Sequence, residues 1–315
     1  MTVIDLPNQN RSGQIKYQTM KDGAKLRTAS WTSDNNSKAI VILVHGHREF
    51  MEKYNEFSAD LLGRNFALYA LDNRGQGLSD RLLPDRVKSH ADRFDIFSED
   101  LNEFISKTVM ADPRANELPI YLIAHSMGGH ISLRYLHDFP GVISKAVLMS
   151  PMIDFNLGIS VVKSLLKKTI RLANFIGFKE TLAFGQKAFQ SKNSRLIKQK
   201  LLTHDKRRYA SEAELIQSNP DLYVGGATFG WLKAALDSMR EMHQPGYLDD
   251  ISIPLLVILP EKDKVVDSQA SRDLLSGYDN IRITTIKGAR HEIYREHDEY
   301  RDHLWQEIDA FLTVQ

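Results

Sequence analysis

Short unbroken apolar runs alternate along this chain with stretches whose apolar residues recur every three or four positions. Residues 39–44, 66–71, 119–123, 145–149, 253–259 and 281–286 are runs of the first kind. Aliphatic runs of this length mark strands buried on both faces of a parallel sheet. Residues 50–62 repeat at helical spacing (Phe50, Tyr54, Phe57, Leu61), as do 95–109, 130–136, 267–276 and 296–313. Residues 14–19 and 25–32 alternate loosely about a Lys21-Asp22-Gly23 turn, which predicts an antiparallel hairpin. Strands alternating with helices predict an α/β fold built on a mostly parallel central sheet flanked by helices.

The alternation breaks between residues 152 and 245, which hold helical patterns and no convincing strand. This stretch is expected to be a helical cap, inserted between two strands of a core formed by residues 1–151 and 246–315. It should lie over the sheet's C-terminal edge, where ligands of open α/β sheets bind.

Composition narrows the class. With 42% hydrophobic and 26% charged residues, the 315-residue chain has the make-up of a soluble globular protein. The formal net charge of +1 gives no global case for nucleic-acid binding. There is no cysteine, so disulfides and thiolate chemistry are excluded, and a reducing, cytoplasmic setting fits. Residues 1–16 are polar, without the apolar core of a signal peptide. No run approaches the roughly 18 apolar residues of a membrane-spanning helix.

The candidate chemistry begins where the strand at 119–123 runs into Ala124-His125-Ser126-Met127-Gly128-Gly129 and a helical stretch follows. Strand, serine between small residues, helix: this is the context of a nucleophile elbow, with Ser126 on a sharp turn above the sheet. Its neighbours must be small because strand and helix pass close together. In the elbow arrangement the acid and base follow in the order Ser, Asp, His. His291, in the loop after the strand at 281–286, is the candidate base; His297 and His303 fall on the last helix and read as solvated. Asp263, just past the strand at 253–259, is the candidate acid. Asp267 reads as a helix N-cap, Glu261 as a surface residue and Asp154 as a remote alternative acid. An oxyanion hole needs two backbone N–H groups. Met127, directly after the nucleophile, should supply one, and His47, in the His45-Gly46-His47 turn, the other. The loop Asp72 to Ser79 lacks both the Gly-x-Gly-x-x-Gly spacing and the Lys-Ser/Thr of a phosphate loop. It is expected to be structural, with Asp72 and Arg74 fixing loops beside the site.

Taken together, the His45-Gly46-His47 turn, the Asp72 to Ser79 loop, the Ser126 elbow, Asp263 and His291 resemble the α/β-hydrolase superfamily, in family order. Within it they are similar to the serine aminopeptidase-like branch that holds lysophospholipases and monoacylglycerol lipases. Ala124 at the first elbow position and the segment Asn219-Pro220-Asp221-Leu222-Tyr223-Val224-Gly225-Gly226-Ala227-Thr228-Phe229-Gly230-Trp231 resemble the bacterial L2 lysophospholipases of that branch. The resemblance implies hydrolysis of the carboxylic ester of a single-chain lipid, a lysophospholipid first, with no metal or organic cofactor. A monoacylglycerol lipase or general carboxylesterase would use the same residues without needing a phosphate-compatible pocket. An aminopeptidase would need a cap carboxylate for the substrate amine, and a binding protein would typically lack one of the three residues.

Charge is unevenly spread. Residues 152–210 hold thirteen Lys or Arg against three acids, a formal +10. In the stretch 159–178, Lys163, Lys167, Lys168 and Arg171 are interleaved with Val161, Val162, Leu165, Leu166, Ile170, Phe175 and Ile176. Plain packing of a cap helix explains the apolar positions. The one-sided charge favours a substrate- or membrane-facing element, with peripheral contact to an anionic membrane at its inner face. Nucleic acid is disfavoured, since no recognition motif accompanies the charge.

Overall fold

In the computed structural model, which describes residues 3–5, 12–31, 37–156, 160–189 and 192–313, the apolar runs are strands of one nine-stranded sheet. The strands are β1 (Val3–Asp5), β2 (Ser12–Thr19), β3 (Lys25–Trp31), β4 (Ala39–Val44), β5 (Phe66–Leu71), β6 (Ile120–His125), β7 (Lys145–Met149), β8 (Leu255–Pro260) and β9 (Ile281–Ile286). Their spatial order is β1-β2-β3-β5-β4-β6-β7-β8-β9. The expected hairpin, β2 with β3, pairs antiparallel, and β3 joins β5 antiparallel. From β5 to β9 every pair is parallel. β4, β5, β6 and β8 are buried at every position, as their unbroken apolar runs require. β9, at the edge, stays partly exposed at every position but Ile286.

Helices cover both faces. One apolar core lies under α2 (Asp95–Phe104) and α3 (Met127–Asp138); the other lies under α1 (Asn55–Gly63) and α9 (Asp298–Thr313). The stretch 50–62 is not one helix. A 3-10 turn, Met51–Tyr54, precedes α1. The stretch 95–109 likewise changes pitch, with α2 giving way to a π-turn at Ile105–Val109. Between β7 and β8 come α4 (Ser160–Phe175), α5 (Lys192–Leu202), α6 (Lys206–Ser218) and α7 (Phe229–Met242), with no strand among the described residues. α7 is tied to α3 through Ser238, whose Oγ lies 2.8 Å from His130 Nε2 and accepts from Arg134 Nη1 at 3.2 Å. The final crossover helix α8 (Ser268–Leu275) starts at Asp267, whose carboxylate caps the N–H groups of Gln269 and Ala270.

Register places the site. Val44 pairs with Ala124 and His125 with Met149, so β4, β6 and β7 end level. The turns after β4, β6, β8 and β9 then open at the same C-terminal edge.

Candidate active site

Ser126 sits between β6 and α3 with φ 52° and ψ −116°, a backbone conformation that a non-glycine residue holds only under constraint. The constraint is the close crossing of strand and helix. A Cβ at Gly128 would lie 2.2 Å from the Val44 carbonyl oxygen, so only glycine fits there. The Ser126 N–H donates to Met149 O and its carbonyl accepts from His130 and Met152, which fixes the turn from both sides. As the N-cap of α3, the serine stands at the positive end of the helix.

The structure brings the three distant candidates together. The Ser126 hydroxyl donates to His291 Nε2 at 3.0 Å, and His291 Nδ1–H donates to Asp263 Oδ2 at 2.8 Å. The other Asp263 oxygen accepts from the N–H groups of Val265 and Val266 at 2.8 and 3.0 Å. Burial alone would lower the His291 pKa; the Asp263 carboxylate outweighs it and holds the imidazole above its ordinary value. Burial would conversely raise Asp263, but the His291 charge and the two backbone donors keep its carboxyl below the usual range. Asp154 instead bonds the Phe155 N–H, and Glu261 the Gly288 N–H at the surface.

The oxyanion candidates stand just past the ends of β4 and β6. Among the described residues, the backbone N–H groups of His47 and Met127 donate to nothing within the protein. The His47 ring is withdrawn from the chemistry. It stacks on Trp231 with centroids 4.0 Å apart, and its Nε2 meets Ser89 Oγ at 2.7 Å. Burial drives its pKa well down, so the ring is a neutral strut.

A strand, an elbow, a relay of three side chains and two free N–H groups form the context that a family assignment needs. The sequence profile described as "Serine aminopeptidase, S33" matches residues 35–298. The chain belongs to the serine aminopeptidase S33 family. As a member of it, this protein is 31% identical over 278 residues to the probable lysophospholipase L2 of Haemophilus influenzae, a match covering 88% of this chain and 85% of that one. It is 24% identical over 295 residues to the monoglyceride lipase of Mus musculus, covering 93% and 88% of the two chains. A soluble variant of the Saccharomyces cerevisiae monoglyceride lipase superposes with a TM-score of 0.79 at 19% identity, covering 98% of this chain and 97% of that one. The fold is thus that of the α/β-hydrolases.

In this S33 protein the site also depends on side chains that sequence reasoning passed over. Gln76 Oε1 accepts from the N–H groups of both Arg48 and Glu49, and its Nε2 reaches Met127 Sδ at 3.6 Å. One amide therefore braces both sides of the oxyanion candidates. Glu49 accepts from the Gly46 N–H at 2.6 Å and from the Tyr54 hydroxyl. The ring nitrogens of His125 lie 3.3 Å from Glu49 Oε2 and 3.2 Å from the His291 carbonyl oxygen, which also accepts from Ser150 Oγ at 2.8 Å. The Asp72 to Ser79 loop is structural, as expected. Asp72 bonds Arg27 and the N–H groups of Met51 and Leu78, and Arg74 pairs with Asp22 and Asp100.

Among the described residues, Lys167, Lys168 and Arg171 of α4 make no contact with this relay. Lys168 and Arg171 are exposed, Arg171 3.8 Å from Asp237; Lys167 is half-buried, and the Lys163 side chain lies outside the described residues. The basic excess of 152–210 is partly answered by the core. Arg208 pairs with Glu56 and Asp298, and Lys179 with Asp92. Among the described residues no cluster of His, Cys, Asp and Glu suited to a metal ion occurs. No helix among them is long and apolar enough to cross a membrane.

Proposed function

We propose that this protein hydrolyses the carboxylic ester of a single-chain lipid, a lysophospholipid first, through an acyl-enzyme on Ser126. The observation that carries the reading is the hydrogen-bonded relay Ser126–His291–Asp263 at the mouth of the sheet. Ser126 Oγ attacks the acyl carbonyl while His291 Nε2 takes its proton. Asp263 holds the Nδ1–H tautomer and stabilises the imidazolium as it forms. The N–H groups of His47 and Met127 bind the oxyanion. His291 then gives its proton to the leaving glycerol oxygen, and the same imidazole activates the water that frees the fatty acid. The relatives named lysophospholipase and monoglyceride lipase support an ester of this class. Their sequence overlap also supports the second reading, a monoacylglycerol lipase using the same groups.

Residues 152–245 act in this proposal as the lipid-facing cap. Of the eleven large hydrophobic side chains exposed among the described residues, nine lie between Leu165 and Ile197, with Phe175 at 88%. Exposed apolar groups beside Lys168 and Arg171 suit docking on an anionic leaflet, peripheral to the cytoplasmic face.

The test is hydrolysis of lysophosphatidylcholine, monoacylglycerol and short p-nitrophenyl esters by wild type and Ser126→Ala. The variant should lose several orders of magnitude in turnover while keeping its fold. Retained activity would refute Ser126 as nucleophile; preference for monoacylglycerol would shift the substrate to the second reading.

A further inference from the structure

The turn that carries His47 continues into Arg48, at φ 62°, and its side chain enters a cavity of about 450 Å³ roofed by the cap. Lys198 of α5, Tyr209 and Glu212 of α6, and Tyr223 of the following turn also line it. Two cations therefore line one space, one from the turn after β4 and one from α5.

Their charges are not fully answered within the protein. Arg48 Nε donates to the Val224 carbonyl at 3.1 Å with the Tyr223 hydroxyl beside it, and among the described residues no carboxylate stands within ion-pair distance of it. Among the described residues, Lys198 pairs with Glu212, at 3.8 Å. Glu212 is already held by Lys53 at 3.2 Å and Arg295 at 2.9 Å, and these two cations are shared with Glu292, as Lys53 is with Glu49. Among the described residues of this cluster, three carboxylates meet four cations, and Arg48 is the one left over. Arg86 and Asp221, at the rim, pair with each other at 3.9 Å and cancel. Burial holds both Arg48 and Lys198 below their ordinary pKa, since neither neighbourhood fully repays the lost hydration. A tetrahedral anion bridging them would do so. Arg offers a planar fork and Lys a point charge, the two usual donors to phosphate oxygens.

We propose that this cavity binds the phosphate of the lipid headgroup, with Arg48 and Lys198 as its ligands, and so selects lysophospholipid over neutral monoacylglycerol. The assignment rests on the ester-hydrolase reading above. The geometry suits it, because Arg48 directly follows the oxyanion candidate His47.

The experiment measures kcat/KM on lysophosphatidylcholine and on monoacylglycerol of the same acyl chain, for wild type, Lys198→Gln, Arg48→Gln and Arg48→Lys. The ratio of the two values should fall about tenfold or more in each Gln variant, mainly through KM for the phospholipid, and recover in part in Arg48→Lys. Lys198 lies on the cap, so its variant keeps the proposal testable if Arg48→Gln disturbs the oxyanion turn. Glycerophosphocholine should compete with substrate in wild type and lose potency in the variants. An unmoved ratio, with both substrates still cleaved, overturns the phosphate site and leaves the ester hydrolase standing. Cleavage of neither substrate by wild type overturns the ester reading itself. Inorganic phosphate that binds without competing with lysophospholipid assigns the cavity to a free anion and overturns the headgroup role.

Discussion

Asp263 and His291 set each other's charge, and the consequence is readable in a pH profile. The base must be neutral to accept the Ser126 proton. With the carboxylate beside it, His291 keeps its own proton to a higher pH than an ordinary imidazole, whose pKa is about 6.5. Activity should therefore rise with pH through a midpoint above that value. Asp263→Asn removes the raising influence and leaves burial, which acts downward. The acid limb of kcat/KM should move to lower pH, with turnover reduced by roughly four orders of magnitude. A limb that stays in place in the variant would separate Asp263 from His291. These residues were legible from sequence because the elbow fixes their order and each follows a recognisable strand. Gln76, Glu49 and Ser150 were not. They act through side chains in turns, where no periodicity singles out one polar residue from its neighbours, and their contacts to Met127, His125 and His291 span 51 to 141 positions.

At the level of elements, the crossing of β4 and α3 is the tightest joint near the site. Gly128→Ala would drive a methyl into backbone at Val44, which cannot rotate away. Overpacking of this kind costs about 1–3 kcal/mol or more. Denaturant titration should show that loss, and activity should fall further than stability because α3 carries Met127. Gly129→Ala meets Pro151 at 2.9 Å and should be milder; equal effects would mean that the joint relaxes. Strand positions were legible because burial on both faces leaves an unbroken apolar run. Helix boundaries were less so. Spacing of three to four is common to 3-10, α and π turns, so 50–62 read as one helix where the chain makes two, and the pitch change at Ile105 left no trace. The cap read as helical, but which of its apolar residues point outward depends on packing partners far along the chain.

For the whole molecule, two balances of charge matter. Inside, Lys53 is buried among Glu49, Glu212 and Glu292. Lys53→Met would strand carboxylates in the interior, an error of about 3–5 kcal/mol. The expected result is a large drop in the denaturation midpoint, and a change under about 1 kcal/mol would show that water reaches the cluster. Outside, the exposed basic and apolar groups of the cap should bind vesicles rich in anionic lipid at low salt and release them at high salt, as screening shortens the reach of surface charge. Co-sedimentation reads this directly. Binding indifferent to salt would assign attachment to the apolar groups alone. Lys168→Glu with Arg171→Glu should weaken binding in the same assay while the cleavage of soluble esters continues.

The same interior cluster bears on transplantation. Glu212 belongs to α6, whereas Lys53, Glu49, Glu292 and Arg295 belong to the turns around β4 and the loop of His291. Roof and machinery thus share one set of counter-ions. A chimera that exchanges this roof for one without an acid at that place would inherit an unbalanced interior beside His291. Substrate range in this scaffold is therefore better re-engineered from the cavity's inner surface than by swapping the segment wholesale.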